Sequence, residues 1–117
     1  MVRVKRGVVK RRKHKKVLKA ASGHRGPRSK IYKSAKDSIL HAGQYAYEGR
    51  KLKKRDFRTL WIVRIQAALK DSGLSYSQFI KNLKDSKIEL DRKILAEIAY
   101  DDPKTFAEIV KRAKEKG

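Results

Sequence analysis

Residues 30–70 read KIYKSAKDSILHAGQYAYEGRKLKKRDFRTLWIVRIQAALK, from Lys30 to Lys70. The run holds no Pro, and helix formers dominate it. Gly43 and Gly49 are its weak points, each costing about 1 kcal/mol relative to Ala inside a helix. A single helix of about 40 residues would be about 60 Å long. That is too long to be covered by a small domain, so its front half must project. The back half is amphipathic: Phe57, Leu60, Trp61, Ile65, Ala68 and Leu69 recur at three- and four-residue spacing. The stretch therefore predicts an all-α protein, a long basic N-terminal helical extension followed by a small C-terminal helical bundle.

Downstream, each helix announces its start. Gly73 is a good C-terminal stop. Ser75-Tyr76-Ser77-Gln78 has the form of a capping box and opens a helix with Phe79, Ile80 and Leu83 inward. Asp91 can cap a helix carrying Ile94, Leu95, Ile98 and Ala99. Asp102-Pro103 places a cap before a Pro at the first helical position, and the helix it opens buries Phe106, Ile109, Val110 and Ala113. No alternation lasts long enough for a strand; Ile88-Glu89-Leu90 is too short. These signals predict four short helical segments over about residues 56–114, within a globular all-helical domain of residues 56–117. A domain of this size buries little surface and is marginally stable. Trp61→Ala is expected to cost about 3–5 kcal/mol if the ring is fully buried.

Upstream, the chemistry changes. The first 36 residues contain fifteen Lys or Arg and no Asp or Glu; the first acid is Asp37. Residues 1–60 hold 21 basic and 3 acidic side chains, so +18, against +3 for residues 61–117. A segment so charged repels itself and needs a polyanion beside it, and a nucleic-acid backbone offers negative charge most densely. Apolar residues in 1–30 come in scraps. A short helix over roughly 8–21 fits them, with Gly23 as its stop and Ser22–Arg28 as a turn by composition. The arm buries too little to offset its ordering entropy and is expected to be mostly disordered when free. Residues 1–55 are thus read as a basic extension that pairs with a nucleic acid.

Candidate binding residues fall in three blocks. The first is Arg3, Lys5, Arg6, Lys10, Arg11, Arg12, Lys13, His14, Lys15, Lys16 and Lys19. The second is His24, Arg25, Arg28, Lys30, Tyr32, Lys33 and Lys36. The third is Arg50, Lys51, Lys53, Lys54, Arg55 and Arg58. On a helix, Arg50, Lys54 and Arg58 form one stripe and Lys51 with Arg55 another. Like charges at that spacing destabilise a free helix by roughly 0.2–0.5 kcal/mol per pair, a cost that a counter-charged partner removes. Lys and Arg do not choose between DNA and RNA, but interleaved rings can stack on unpaired bases. Tyr32 and His24, among cations and turn residues, suit stacking best; Tyr45 and Tyr47 are expected to pack against the helix's own side chains. Gly23, Gly26 and Gly43 read either as local chain chemistry or as places where another backbone comes close.

Other chemistry is excluded on spacing. His14, His24 and His41 fit no metal-ligand pattern, and Cys is absent, so neither a metal site nor a disulfide framework is expected. Asp101-Asp102 reads as a cap, not an acid/base pair. Gly23-x-x-Gly26 lacks the phosphate-cradling spacing, and nothing marks a nucleophile, so no catalytic residue, cofactor or small-molecule substrate is assigned. No apolar run approaches the roughly 20 residues that span a bilayer, and no secretory signal is visible.

Several motifs together resemble a known family. Met1-Val2-Arg3-Val4-Lys5-Arg6-Gly7, His14-Lys15-Lys16-Val17-Leu18-Lys19, Ala42-Gly43-Gln44-Tyr45-Ala46-Tyr47, and the central Lys54-Arg55-Asp56-Phe57-Arg58 with Leu60-Trp61-Ile62 carry the likeness. Gly73-Leu74-Ser75-Tyr76-Ser77 and Ile88-Glu89-Leu90-Asp91-Arg92-Lys93 extend it. In these the chain resembles the bacterial large-subunit ribosomal protein twenty family, over essentially its whole length. The resemblance implies a basic helical extension joined to a small helical domain. It also implies direct binding of 23S rRNA, an early role in subunit assembly, neighbouring large-subunit proteins as partners, and a cytoplasmic, ribosomal location. Some members repress their own operon by binding its messenger, a role one sequence does not carry over. The extension would thread into RNA, and the domain would touch RNA through the Arg58/Arg64 side and the Ser75–Lys81 region. His24 stands where the family usually has Tyr, and Pro27 where a basic or small residue is usual.

Two rival classes share some of these features. A DNA-compacting protein has similar charge and helices, and competition between folded rRNA and duplex DNA separates the two. A membrane-active cationic arm needs a face of Leu, Phe or Trp, of which residues 1–30 offer only Leu18.

Overall fold

The computed structural model describes residues 1–116, so the predicted range 56–117 ends one residue outside them. Among the described residues there are five α-helices and no strand: α1 (Gly7–Ala20), α2 (Tyr32–Leu69), α3 (Tyr76–Asp85), α4 (Arg92–Asp101) and α5 (Pro103–Lys116). The fold is all-α, as the sequence predicts. Two compact units emerge, Met1–Lys51 and Leu52–Gly117, and α2 contributes residues to both.

In the second unit the helix starts follow the cap chemistry. Ser75 Oγ accepts from the Gln78 amide and Gln78 Oε1 accepts from the Ser75 amide, the reciprocal capping box. Asp91 Oδ1 accepts from the Ile94 amide at 2.8 Å, and Asp102 Oδ1 from the Thr105 amide at 3.2 Å. Each bond satisfies a helical N–H that has no partner within its own helix. A short 3₁₀ turn, Lys70–Ser72, follows α2, and Gly73 closes it with φ 67°, in the left-handed region that a Cβ disfavours. Lys114 Nζ donates to the Ser72 carbonyl at 2.7 Å, placing a cation at that carbonyl-rich end.

The core of this unit is Ile65, Leu69, Phe79, Leu83, Leu95, Ala96, Phe106, Val110 and Ala113. Phe79 and Phe106 meet at 5.7 Å between ring centroids, tilted by 54°. Both α3 and α4 pack on α5. Three expectations need correction. Phe57 and Leu60 are 44% and 41% exposed, so the buried stripe of α2 begins only at Trp61. Trp61 itself is half-buried, so the full aromatic truncation cost does not apply to it. In α4, Ile94 is 42% exposed while Ala96 is fully buried, because a small side chain faces the neighbouring helix.

In the first unit α1 carries seven Lys or Arg in 14 residues. His14, Val17 and Leu18 are half-buried and Ala21 is buried, an i, i+3, i+4, i+7 face. His14 stacks on Tyr32 with centroids 3.8 Å apart, and His24 Nδ1 lies 2.7 Å from Ser38 Oγ. Residues 1–30 therefore hold more order than the disordered arm expected from composition. The cause is local: Lys, Arg, Leu and Ala are strong helix formers, and two polar aromatic contacts tie the turn down. Burial adds little, since Ala21 and Ala35 are the fully buried residues of this unit.

Candidate nucleic-acid interface

Every Lys and Arg singled out in the three blocks is exposed, from Arg3 to Arg58, and so is Arg64. Exposure is what phosphate contact requires. On α1, four successive cations, Lys10 to Lys13, sweep most of the way round the helix at 100° per residue. The partly to fully buried face of His14, Val17, Leu18 and Ala21 lies between Lys13 and Arg11, with Lys10 one turn ahead of His14 on the same side. Part of this charge converges. Lys5, Arg6, Lys10 and Lys13 line one cavity of about 570 Å³, whose wall includes His14 and Tyr32. Four cations around one concavity concentrate positive potential there.

The third block lies entirely on α2, where Arg50, Lys51, Lys53, Lys54, Arg55 and Arg58 are all exposed. Two of its cations sit over neighbouring rings: Lys51 Nζ is 4.7 Å from the Tyr47 centroid, and Lys53 Nζ is 5.8 Å from that of Phe57. These contacts hold long side chains over the helix without removing their charge from solvent. Arg64 similarly covers Tyr100 at 5.3 Å.

The aromatic residues differ in how far they are engaged. Tyr32 and His24, read as stacking residues, are half-buried and already engaged, Tyr32 by His14 and His24 by Ser38. Tyr45 and Tyr47 meet side chains of their own helix as expected, His41 and Lys51 respectively, yet stay 67% and 55% exposed. A signal for this lies in the sequence. The helical neighbours of Tyr45 are His41, Ala42, Glu48 and Gly49, and those of Tyr47 are Gly43, Gln44, Arg50 and Lys51, none of them large and apolar. Tyr100, 74% exposed beneath Arg64, is a further ring the sequence reading passed over.

The glycines divide too. Gly23 and Gly26 have φ of 87° and 63°, so turn geometry accounts for them. Gly43 lies in α2 with ordinary helical φ, and a Cβ added there would meet nothing within 4 Å. This chain's own fold does not require it.

Among the described residues no helix is long and apolar enough to cross a membrane, and no group of three or more His, Cys, Asp or Glu is placed to hold a metal ion. A family model described as Ribosomal protein L20 matches residues 3–109 of the 117-residue chain. With exposed cations along the first unit, a small capped bundle in the second, and a match over nearly the whole length, the chain belongs to the ribosomal protein L20 family, structural proteins of the large ribosomal subunit that bind ribosomal RNA.

Proposed function

We propose that this protein binds 23S rRNA directly and promotes early assembly of the large subunit, its basic extension neutralising phosphates between RNA segments that would otherwise repel each other. One observation carries the reading: the unit with the greatest charge has the smallest core. Its fully buried side chains are two alanines, while every Lys and Arg of its first 36 residues is exposed. Apolar burial stabilises by about 25 cal/mol per Å², and two methyl groups supply very little of it. Phosphates supply the missing stabilisation. Binding then completes the extension, which reaches into RNA structures that a rigid domain could not enter.

The candidate residues are the exposed cations named above. The cluster of Lys5, Arg6, Lys10 and Lys13 forms the most concentrated anion site, and Tyr45 and Tyr47 offer faces for stacking. The extension of residues 1–55 does the penetrating, and the bundle docks at the periphery through Arg58 and Arg64.

Salt dependence of binding to 23S rRNA tests this. Each phosphate contact contributes roughly 0.7–0.9 to the slope of log K against log salt. Replacing Lys10, Lys13, Lys15 and Lys16 by Gln is expected to flatten the slope by about 3. A flat wild-type dependence, or an unchanged slope in the variant, would refute the proposal. Deleting residues 1–55 is expected to leave a helical bundle that supports little subunit assembly, and full assembly by the truncated chain would contradict the division of labour.

A further inference from the structure

We propose that a groove formed by the Gly26–Ser29 turn and the first turns of α2 receives a single unstacked guanine of the bound RNA. The inference rests on the RNA-binding reading and adds a base-selective site to it. The groove has a volume of about 620 Å³ and is lined by Arg28 from the turn and by Ser34, Asp37, Ser38, His41 and Tyr45 from α2. That volume is within the range of small-ligand pockets, about 300–1,000 Å³. The short His24–Ser38 contact, 2.7 Å, ties the preceding turn to α2 and holds the groove in shape.

Three side chains at four-residue spacing supply the chemistry. Asp37, His41 and Tyr45 fall on one face of α2. The His41 and Tyr45 rings are stacked, with centroids 6.2 Å apart and planes at 26°, and Tyr45 keeps 67% of its surface exposed. Such a pair extends readily to a third ring, and a base is the ring an RNA offers. Arg28 is exposed beside it and can take the phosphate of the same nucleotide.

Asp37 selects the base. It is the first acid after fifteen cations, and it is exposed. A carboxylate facing RNA repels phosphates, so electrostatics alone disfavours it there. The repulsion is offset where both its oxygens accept hydrogen bonds from a base edge. Guanine presents two adjacent donors on one edge, N1–H and the N2 amino group, matching the two acceptors of a carboxylate. Adenine and cytosine offer one amino group on that edge, and uracil one imide.

The test uses full-length protein on 23S rRNA, with kethoxal as probe because it reacts at guanine N1 and N2. Wild type is expected to protect one guanine that becomes reactive again in both Asp37→Asn and Tyr45→Ala. Asp37→Asn is also expected to bind about tenfold more weakly. The sign is the discriminating feature. Removing a negative charge should tighten binding to a polyanion if only charge matters. Both positions are exposed, and unchanged helical circular dichroism would show that the variants fold. Equal or tighter binding by Asp37→Asn with an unchanged guanine footprint would overturn the site while leaving the phosphate reading intact. Absence of salt-dependent binding by the wild type would overturn both.

Discussion

Replacing Gly43 and Gly49 together by Ala tests whether the charged part of α2 is a preformed helix. The helix runs Tyr32–Leu69 through both positions. An added Cβ at either site would meet nothing within 4 Å, and neither residue has positive φ. No steric cost therefore opposes the intrinsic preference for Ala, about 1 kcal/mol per site inside a helix. The double variant should gain about 2 kcal/mol against local opening, roughly thirty-fold in the opening equilibrium. Amide hydrogen exchange of residues 39–50 in the free protein reads this directly, since local unfolding limits exchange there. Unchanged protection would mean that the free chain is not helical across these glycines, and the reasoning would fail. A helix formed in advance also lowers the ordering cost of binding. A variant that gains protection yet loses affinity for 23S rRNA would locate an RNA backbone against this face of α2.

Lys87 has φ 55° at the end of α3, where its amide bonds the Lys84 carbonyl and the Ile88 amide bonds that of Leu83. Lys87→Gly should relieve left-handed strain and stabilise by about 0.5–1 kcal/mol net, raising Tm by about 2–8 °C, whereas Lys87→Ala should not. Phe79 is fully buried against Phe106, so Phe79→Ala is expected to cost about 3–5 kcal/mol, most of what a bundle this small possesses. Urea melts that show under 1 kcal/mol of loss, on the order of a surface change, would displace Phe79 from the core. The Thr105 hydroxyl, and then the Thr105 amide, hold the Asp102 carboxyl below its ordinary 3.8. Its contribution is therefore complete above that value and lost as pH falls through the lowered one. The stability gap between wild type and Thr105→Val should be present at about pH 7 and shrink as pH falls below the ordinary 3.8.

The helix boundaries of the bundle were legible because a cap is local chemistry. Ser75, Asp91 and Asp102 bond amides three residues on, so the signal and its consequence share one short stretch. The end of α3 was not legible for the opposite reason. Lys87 adopts a glycine's conformation because Ile88 packs against the core, a contact with residues far along the chain. Periodicity likewise showed that α2 has an apolar face but not where the other helices stop covering it, so Phe57 and Leu60 were assigned inward. The cations were legible as a class, since their number without acids has few readings. The stacking partners were not: His14 meets Tyr32, and His24 meets Ser38 fourteen residues away, only once the chain turns at Gly23 and Gly26.

Charge and core in the first unit compete for the same positions. Of the 14 residues in α1, seven are cations. A residue turned toward phosphate cannot also pack inward, and the face left over holds little more than His14, Val17, Leu18 and the adjoining Ala21. The second unit spends its positions the other way and builds a nine-residue core. The stability of the first unit then becomes nearly the same quantity as its affinity, because a ligand that binds only the ordered form stabilises that form by RT ln(1 + [L]/Kd). Lowering salt in the presence of RNA should therefore protect residues 1–51 from proteolysis far more than residues 52–116. Equal protection of both units would mean that the extension holds its fold without phosphates.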